Sequence, residues 1–134
     1  MNLLLDTSIL LWAVGPADRL PEETQRQLLD PANTVFFSAA SIWEVAIKAA
    51  LGRADFVNDA AQIATAARDQ GFTELPVSAA HAAQVQALPA IHHDPFDRLL
   101  LAQALAEPAW LITSDRLLQR YGGPVRHIQP RSTT

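Results

Sequence analysis

Cysteine is absent from this 134-residue chain, which excludes disulfides and thiolate-bound metals and makes a reducing compartment the expected home. Long apolar runs are lacking too. The longest, Ile9 to Val14, has six residues, against the roughly 20 that span a bilayer. No basic residue precedes Asp6, which interrupts the first apolar run, so no signal peptide is expected and the chain reads as soluble and cytoplasmic. Glycine is scarce: the five present fall in no nucleotide-loop spacing, which sets aside a phosphate-cradling loop. The only lysine, Lys48, lies early. Phosphoaspartyl hydrolases and receiver domains want a lysine near their last strands, so that chemistry fits poorly. Internal repeats and low-complexity segments are also missing.

What is present suffices for one core. Hydrophobic residues make up 49% of the chain, and its length suits a single domain. The net charge of −4 is unevenly spread. Residues 1 to 93 hold ten acids and five bases, whereas residues 94 to 134 hold four acids and five arginines. Neutralising some of those four acids with a metal leaves the last third basic, as suits a nucleic acid. Arginines on a solvated face explain the same counts, so charge does not choose a partner.

Strand and helix signals alternate. "NLLLDTS" reads as a short buried strand entering a turn, "PEETQRQLLD" as a helix opened by Pro21, and "TVFFS" as a second strand. "SAASIWEVAIKAALG" predicts a helix closed by Gly52, and residues 58–70 another, ended by Gly71. A third strand in "FTELPV", a short helix in "SAAHAAQVQAL", a strong helix in "DPFDRLLLAQALAE", a strand in "AWLITS", a helix in "DRLLQRY" and a strand in "PVRHI" follow. Such alternation predicts one α/β domain over residues 1–130, with a central parallel sheet flanked by helices on both faces and a tail at 131–134.

Ligands of open parallel sheets sit at the carboxyl ends of the strands, near the point where strand order reverses. Asp6 ends the first strand and Asp115 lies just past "WLIT", at the same edge. Most of the acids also have a plain structural explanation. Asp6 suits a turn with Thr7 and Ser8, and Asp115 a helix cap. Glu44 stands three residues after Ser41 in capping-box spacing and four before Lys48 in ion-pair spacing. Yet Glu44 and Lys48 are the only charges on a helix apolar on nearly every side, so a buried carboxylate is expected there, and it needs a partner. Asp94, before Pro95, is the natural N-cap. Asp97 has no such excuse: beside Phe96, Leu99 and Leu100, an inward carboxylate is costly unless a cation meets it.

Several carboxylates brought together suit Mg²⁺ or Mn²⁺, hard ions that take oxygen ligands and activate water against a phosphodiester. The hydroxyls of Thr7, Ser8, Thr113 and Ser114 stand beside these acids, able to orient water or phosphate or simply to form turns. Arg98 and Arg116 each follow a site acid, placed for RNA phosphates or for an ordinary helix surface. His92 and His93 lack a third ligand at helical spacing, so no zinc site is expected; they read as loop residues near a substrate groove, or as merely exposed. His81 and His127 read as surface residues. Trp12, Trp43 and Trp110 fall at core-facing positions, Trp12 being the best candidate for an interface.

Taken in order, "LLLDTSILLW", "SAASIWEVAIKAALGR", "HHDPFDRLLLAQAL" and "LITSDRLLQRY" resemble the PIN-domain proteins, specifically the VapC-type toxins of bacterial toxin–antitoxin pairs. That resemblance covers Asn2 to about Ile128. It implies a PIN-like fold and a metal-dependent endoribonuclease whose acidic site carries over onto Asp6, Glu44, Asp97 and Asp115, with Asp6 and Asp97 the principal Mg²⁺ ligands. Thr7, Ser8 and Thr113 match the hydroxyl positions beside those acids, although relatives often carry His where Ser8 stands. A homodimer and a cognate antitoxin that wraps the toxin are implied as well. The alternative from another class is a catalytically silent PIN-fold protein-binding module, distinguished by the absence of any stabilisation by divalent ions.

Overall fold

Leu3, Leu4 and Leu5 are all fully buried, as a strand covered on both faces requires. They form β1 (Asn2–Leu5), the centre of a five-stranded parallel sheet of order β3-β2-β1-β4-β5. The other strands are β2 (Thr34–Ser38), β3 (Thr73–Leu75), β4 (Trp110–Thr113) and β5 (Val125–His127). The computed structural model describes residues 1–52 and 58–132. Arg53, the last residue of one motif, and the final two of the tail lie outside the described residues. In register, Leu4 pairs with Phe36 on one side and with Leu111 on the other.

Seven α-helices connect the described strands: α1 (Thr7–Val14), α2 (Glu22–Leu29), α3 (Ala39–Ala50), α4 (Ala60–Asp69), α5 (Ala79–Gln84), α6 (Pro95–Ala106) and α7 (Arg116–Gln119). The alternation of side chains along β1 sorts them into two layers. Leu3 and Leu5, with Phe37 and Ile112, pack against Ile9 and Leu10 of α1 and Ala64 and Ala67 of α4. Leu4 and Leu111 face the other way, onto Leu100, Leu101 and Ala104 of α6 and Leu118 of α7. The chain first moves outward from β1 through β2 to β3, then returns by α5 and α6 to lay β4 on the opposite side of β1. Connections leaving β1 and β4 therefore diverge and open a crevice between their carboxyl ends.

Helix α1 replaces the expected turn. Asp6 caps it, accepting from the Ile9 amide at 2.9 Å. Its run "ILLWAV" shows no helical period because it is wedged between the sheet and α3 and α4, buried on most sides. The α3 cap is Ser38, which accepts from the Ala40 amide, so the Ser41–Glu44 capping box does not form. Gly52, with φ of 66°, lies just past the end of α3 as its position predicts. Trp43 is not a core residue: it is 60% exposed and packs edge-on against Phe96, with 5.2 Å between centroids. Trp12 and Trp110 are half-buried, covered by the guanidinium groups of Arg19 and Arg126. His81 is likewise not on the surface. It is buried, closes a capping box with Ser78, and lies 3.4 Å from the Gln103 amide nitrogen. His127 is half-buried, its Nε2 3.1 Å from the Ser114 carbonyl.

Candidate functional site

Four acids reach the crevice, Glu44 and Asp97 from helices α3 and α6, and Asp6 and Asp115 from the caps that precede α1 and α7. Asp6, at the end of β1, is buried; one oxygen caps α1 and the other accepts from the Thr113 hydroxyl at the end of β4. This bond staples the two paired strands at the point where their connections part. Glu44, in the second turn of α3, is buried as well. Its Oε1 accepts from the Thr7 hydroxyl at 2.7 Å and its Oε2 lies 2.8 Å from Lys48 Nζ. The Ser41 hydroxyl, one turn back on the same helix, sits 3.0 Å from that of Thr7. Glu44 thus joins α3 to the first turn of α1, and the ion pair read from the sequence is present beside that link.

Asp94 caps α6 by accepting from the amides of Phe96 and Asp97 at 2.8 and 3.3 Å. The Asp97 side chain, 17% exposed, turns toward His92, whose Nε2 lies 3.2 Å from its Oδ2. Asp115 caps α7 through the Leu117 and Leu118 amides, and its other oxygen is 2.8 Å from the same His92 nitrogen. One ligand atom each from His92, Asp97 and Asp115 falls within 4.8 Å of the others.

Electrostatics tie the acids into one cluster. Burial pushes the Asp97 carboxyl up to about 7, with repulsion from Asp94, Asp6 and Asp115 adding and His92 opposing. Burial likewise lifts Asp6 to about 6, held back by its bonds from Thr113 and Ile9 and raised further by Asp115 and Glu44. Asp115 goes the other way: burial acts to raise it, but the His92 hydrogen bond and the two helix amides together hold it below the usual carboxylate range. Two carboxyls raised by burial and by neighbouring acids, in a crevice of oxygen ligands, are the setting in which a hard divalent cation relieves repulsion. The donor set fits Mg²⁺ or Mn²⁺.

The hydroxyls divide. Thr7 and Thr113 are bonded to site acids, whereas Ser8 is exposed and, among the described residues, neither its hydroxyl nor that of Ser114 bonds an acid of the cluster. Arg116 is exposed at the start of α7. Arg98 is committed elsewhere: its guanidinium donates to the carbonyls of Val85, Leu88, Pro89 and His92 and to the Tyr121 hydroxyl, at 2.9 to 3.4 Å. It ties down the loop that carries His92. His92 and Tyr121 are the residues that sequence reasoning undervalued. The available signal was a histidine two residues before an Asp-Pro helix start, close enough for its ring to meet the cap's own amide.

A model of the PIN domain family matches residues 3–124. Among solved structures, the fold is similar to VapBC2 from Rickettsia felis bound to a DNA fragment from their promoter, with a TM-score of 0.68, 17% identity, and coverage of 98% of this chain and 100% of that one. A toxin–antitoxin complex from Klebsiella pneumoniae gives a TM-score of 0.60 at 21% identity, covering 94% and 99% of the two chains. A domain of a functionally unknown protein from Methanocaldococcus jannaschii gives 0.59 at 13% identity, covering 99% and 94%. No curated protein matches by sequence.

Proposed function

The chain belongs to the PIN domain family, and from that premise we propose that it is a metal-dependent endoribonuclease acting as the toxin of a type II toxin–antitoxin pair. The observation that carries the reading is the meeting of Asp6, Glu44, Asp97 and Asp115 where strand order reverses, with the carboxyls of Asp6 and Asp97 raised by burial and by repulsion from neighbouring acids. The structural neighbours that are toxin–antitoxin complexes support the partner half of the proposal. A homodimer, silenced by a cognate antitoxin that approaches the acidic crevice, belongs to the same proposal.

In this reading Asp6 and Asp97 hold Mg²⁺ or Mn²⁺, with Glu44 and Asp115 completing the pocket. When bound, the cation supplies Lewis acidity at a phosphate oxygen and acidifies water. The chain supplies everything else. Thr113 fixes one oxygen of Asp6 and so its rotamer. Thr7 and Lys48 fix the two oxygens of Glu44. Burial of Asp6 and Glu44 limits water around the reacting groups, which strengthens each interaction made there. Arg116 is exposed beside Asp115, and in this reading it meets an RNA phosphate. Arg98 keeps the loop in place instead of meeting substrate.

Purified protein freed of antitoxin, incubated with total bacterial RNA and Mn²⁺ or Mg²⁺ beside Asp97→Asn, tests this directly by mapping new 5′ ends. Discrete cuts that vanish with the variant or with chelator are expected. Folded, metal-binding protein that makes no metal-dependent cuts in any RNA offered would refute the nuclease reading and favour a silent binding module.

A further inference from the structure

We propose that His92 is a positioning residue, holding Asp97 and Asp115 together for the cation through a proton fixed on Nε2. The inference rests on the divalent-cation reading of the site and adds to it a residue outside the four acids. Its first support is the tautomer. The Asp94 amide donates to His92 Nδ1 at 3.0 Å, so Nδ1 offers its lone pair there and the proton sits on Nε2. The Nε2–H then faces two acceptors from different elements, Asp115 Oδ2 at 2.8 Å and Asp97 Oδ2 at 3.2 Å.

This orientation also decides what His92 is not. A histidine ligates a metal through an unprotonated nitrogen, and here the unprotonated one is turned away to the backbone. The ring is therefore a hydrogen-bond donor to ligand carboxylates, the outer partner that such sites commonly need. It takes one oxygen of each carboxylate and spans a gap across which their charges repel.

The second support is how firmly the ring is carried. The His92 amide donates to the Tyr121 hydroxyl at 2.9 Å, and that hydroxyl donates to the Pro89 carbonyl at 2.9 Å. Arg98, one residue past Asp97 on α6, bonds the carbonyls of Pro89 and His92 and the same hydroxyl. The loop is thus stitched to the helix that bears Asp97 and, through Tyr121, to the end of the helix that Asp115 caps. A loop that served only to connect α5 to α6 has no need of a ring held at both nitrogens, one by a backbone amide and the other between two acids.

Calorimetric titration of Mn²⁺ into antitoxin-free protein, with folding checked by urea denaturation, tests the proposal. His92→Phe keeps a planar ring without a donor and is expected to weaken Mn²⁺ binding by about 10–100-fold, the loss that outer-partner substitutions bring. His92→Gln, whose amide keeps an N–H of similar reach, is expected to recover most of that affinity. A residue that merely fills space shows no such rescue. Should His92→Phe fail to fold, Tyr121→Phe removes the hydroxyl that the His92 amide reaches, and a smaller loss in the same direction is expected. Wild-type affinity, or tighter binding, in folded His92→Phe would overturn the positioning role and leave the cation reading standing. Failure of the wild type itself to bind Mn²⁺ would overturn the cation reading, and the positioning role with it.

Discussion

Replacing Asp97 by Asn is expected to make the metal-free protein more stable at pH 8 while destroying its response to divalent ions. The Asp97 carboxyl titrates at about 7 in the folded protein against a reference of 3.8. Between those values the folded state holds a proton that the unfolded chain has released, so stability falls as pH rises through the window and is lowest above it. At about 1.36 kcal/mol for each pH unit, the penalty approaches ~4 kcal/mol at pH 8, of which roughly 3 accrues between pH 5 and pH 8. Asparagine carries no charge and escapes it, though it loses the attraction to His92, so a net gain of about 2 kcal/mol is a fair expectation at pH 8. With a urea slope of roughly 1.5 kcal/mol per molar, the midpoint rises by about 1 M. Urea denaturation in chelator at pH 5 and pH 8 reads both quantities. Saturating Mn²⁺ is expected to stabilise the wild type, by about 2.7 kcal/mol at a hundredfold excess over its Kd, and to leave the variant unmoved. An Asp97→Asn protein that loses stability from pH 5 to pH 8 as steeply as the wild type, or that is the weaker of the two at pH 8, would refute this reasoning.

Other substitutions separate structural from chemical roles. Asp94→Ala removes a helix cap and is expected to lower stability by about 0.5–2 kcal/mol while retaining Mn²⁺ binding, which Asp97→Asn loses; calorimetry on both decides which acid holds the ion. Asp6→Asn keeps a side chain able to cap α1, so it should abolish Mn²⁺ binding in a folded protein, whereas Asp6→Ala also loses about 1 kcal/mol of stability by urea denaturation. Arg98→Met strips the His92 loop of its cation–carbonyl bonds and is expected to cost about 1.5–3 kcal/mol by the same assay, with salt dependence of RNA binding unchanged.

The strands and most helices are legible because their local signals agree: Leu3 to Leu5, "TVFFS" and "WLIT" became three adjacent strands, and the cap at Asp94 sits at its predicted chain position. Helix α1 is not legible from its own residues. An eight-residue helix buried on most sides has no polar face, and only its cap and Gly15 mark it. Among the candidate site residues, Asp6 and Asp115 follow from strand ends alone. Glu44 follows from an unexplained buried charge, although the Ser41 pairing offered for it was misplaced, because the helix begins at Ser38 and puts Ser41 inside it. His92 and His81 escaped because part of what fixes each is remote in sequence: Tyr121 and Asp115 for one, Gln103 for the other. Trp43 escaped because a helix apolar on most sides gives no hint of which face stays outside.

The return of the chain from β3 to lay β4 beside β1 has a consequence for synthesis. Residues 6 and 44 are made early, but Thr113 and Asp115 arrive with the fourth strand of five. Until that strand emerges and pairs with β1, Asp6 lacks its staple and the crevice lacks a wall. A ribosome making this chain therefore carries an unassembled pocket for most of the time it is at work, and a chain broken off before β4 never acquires one.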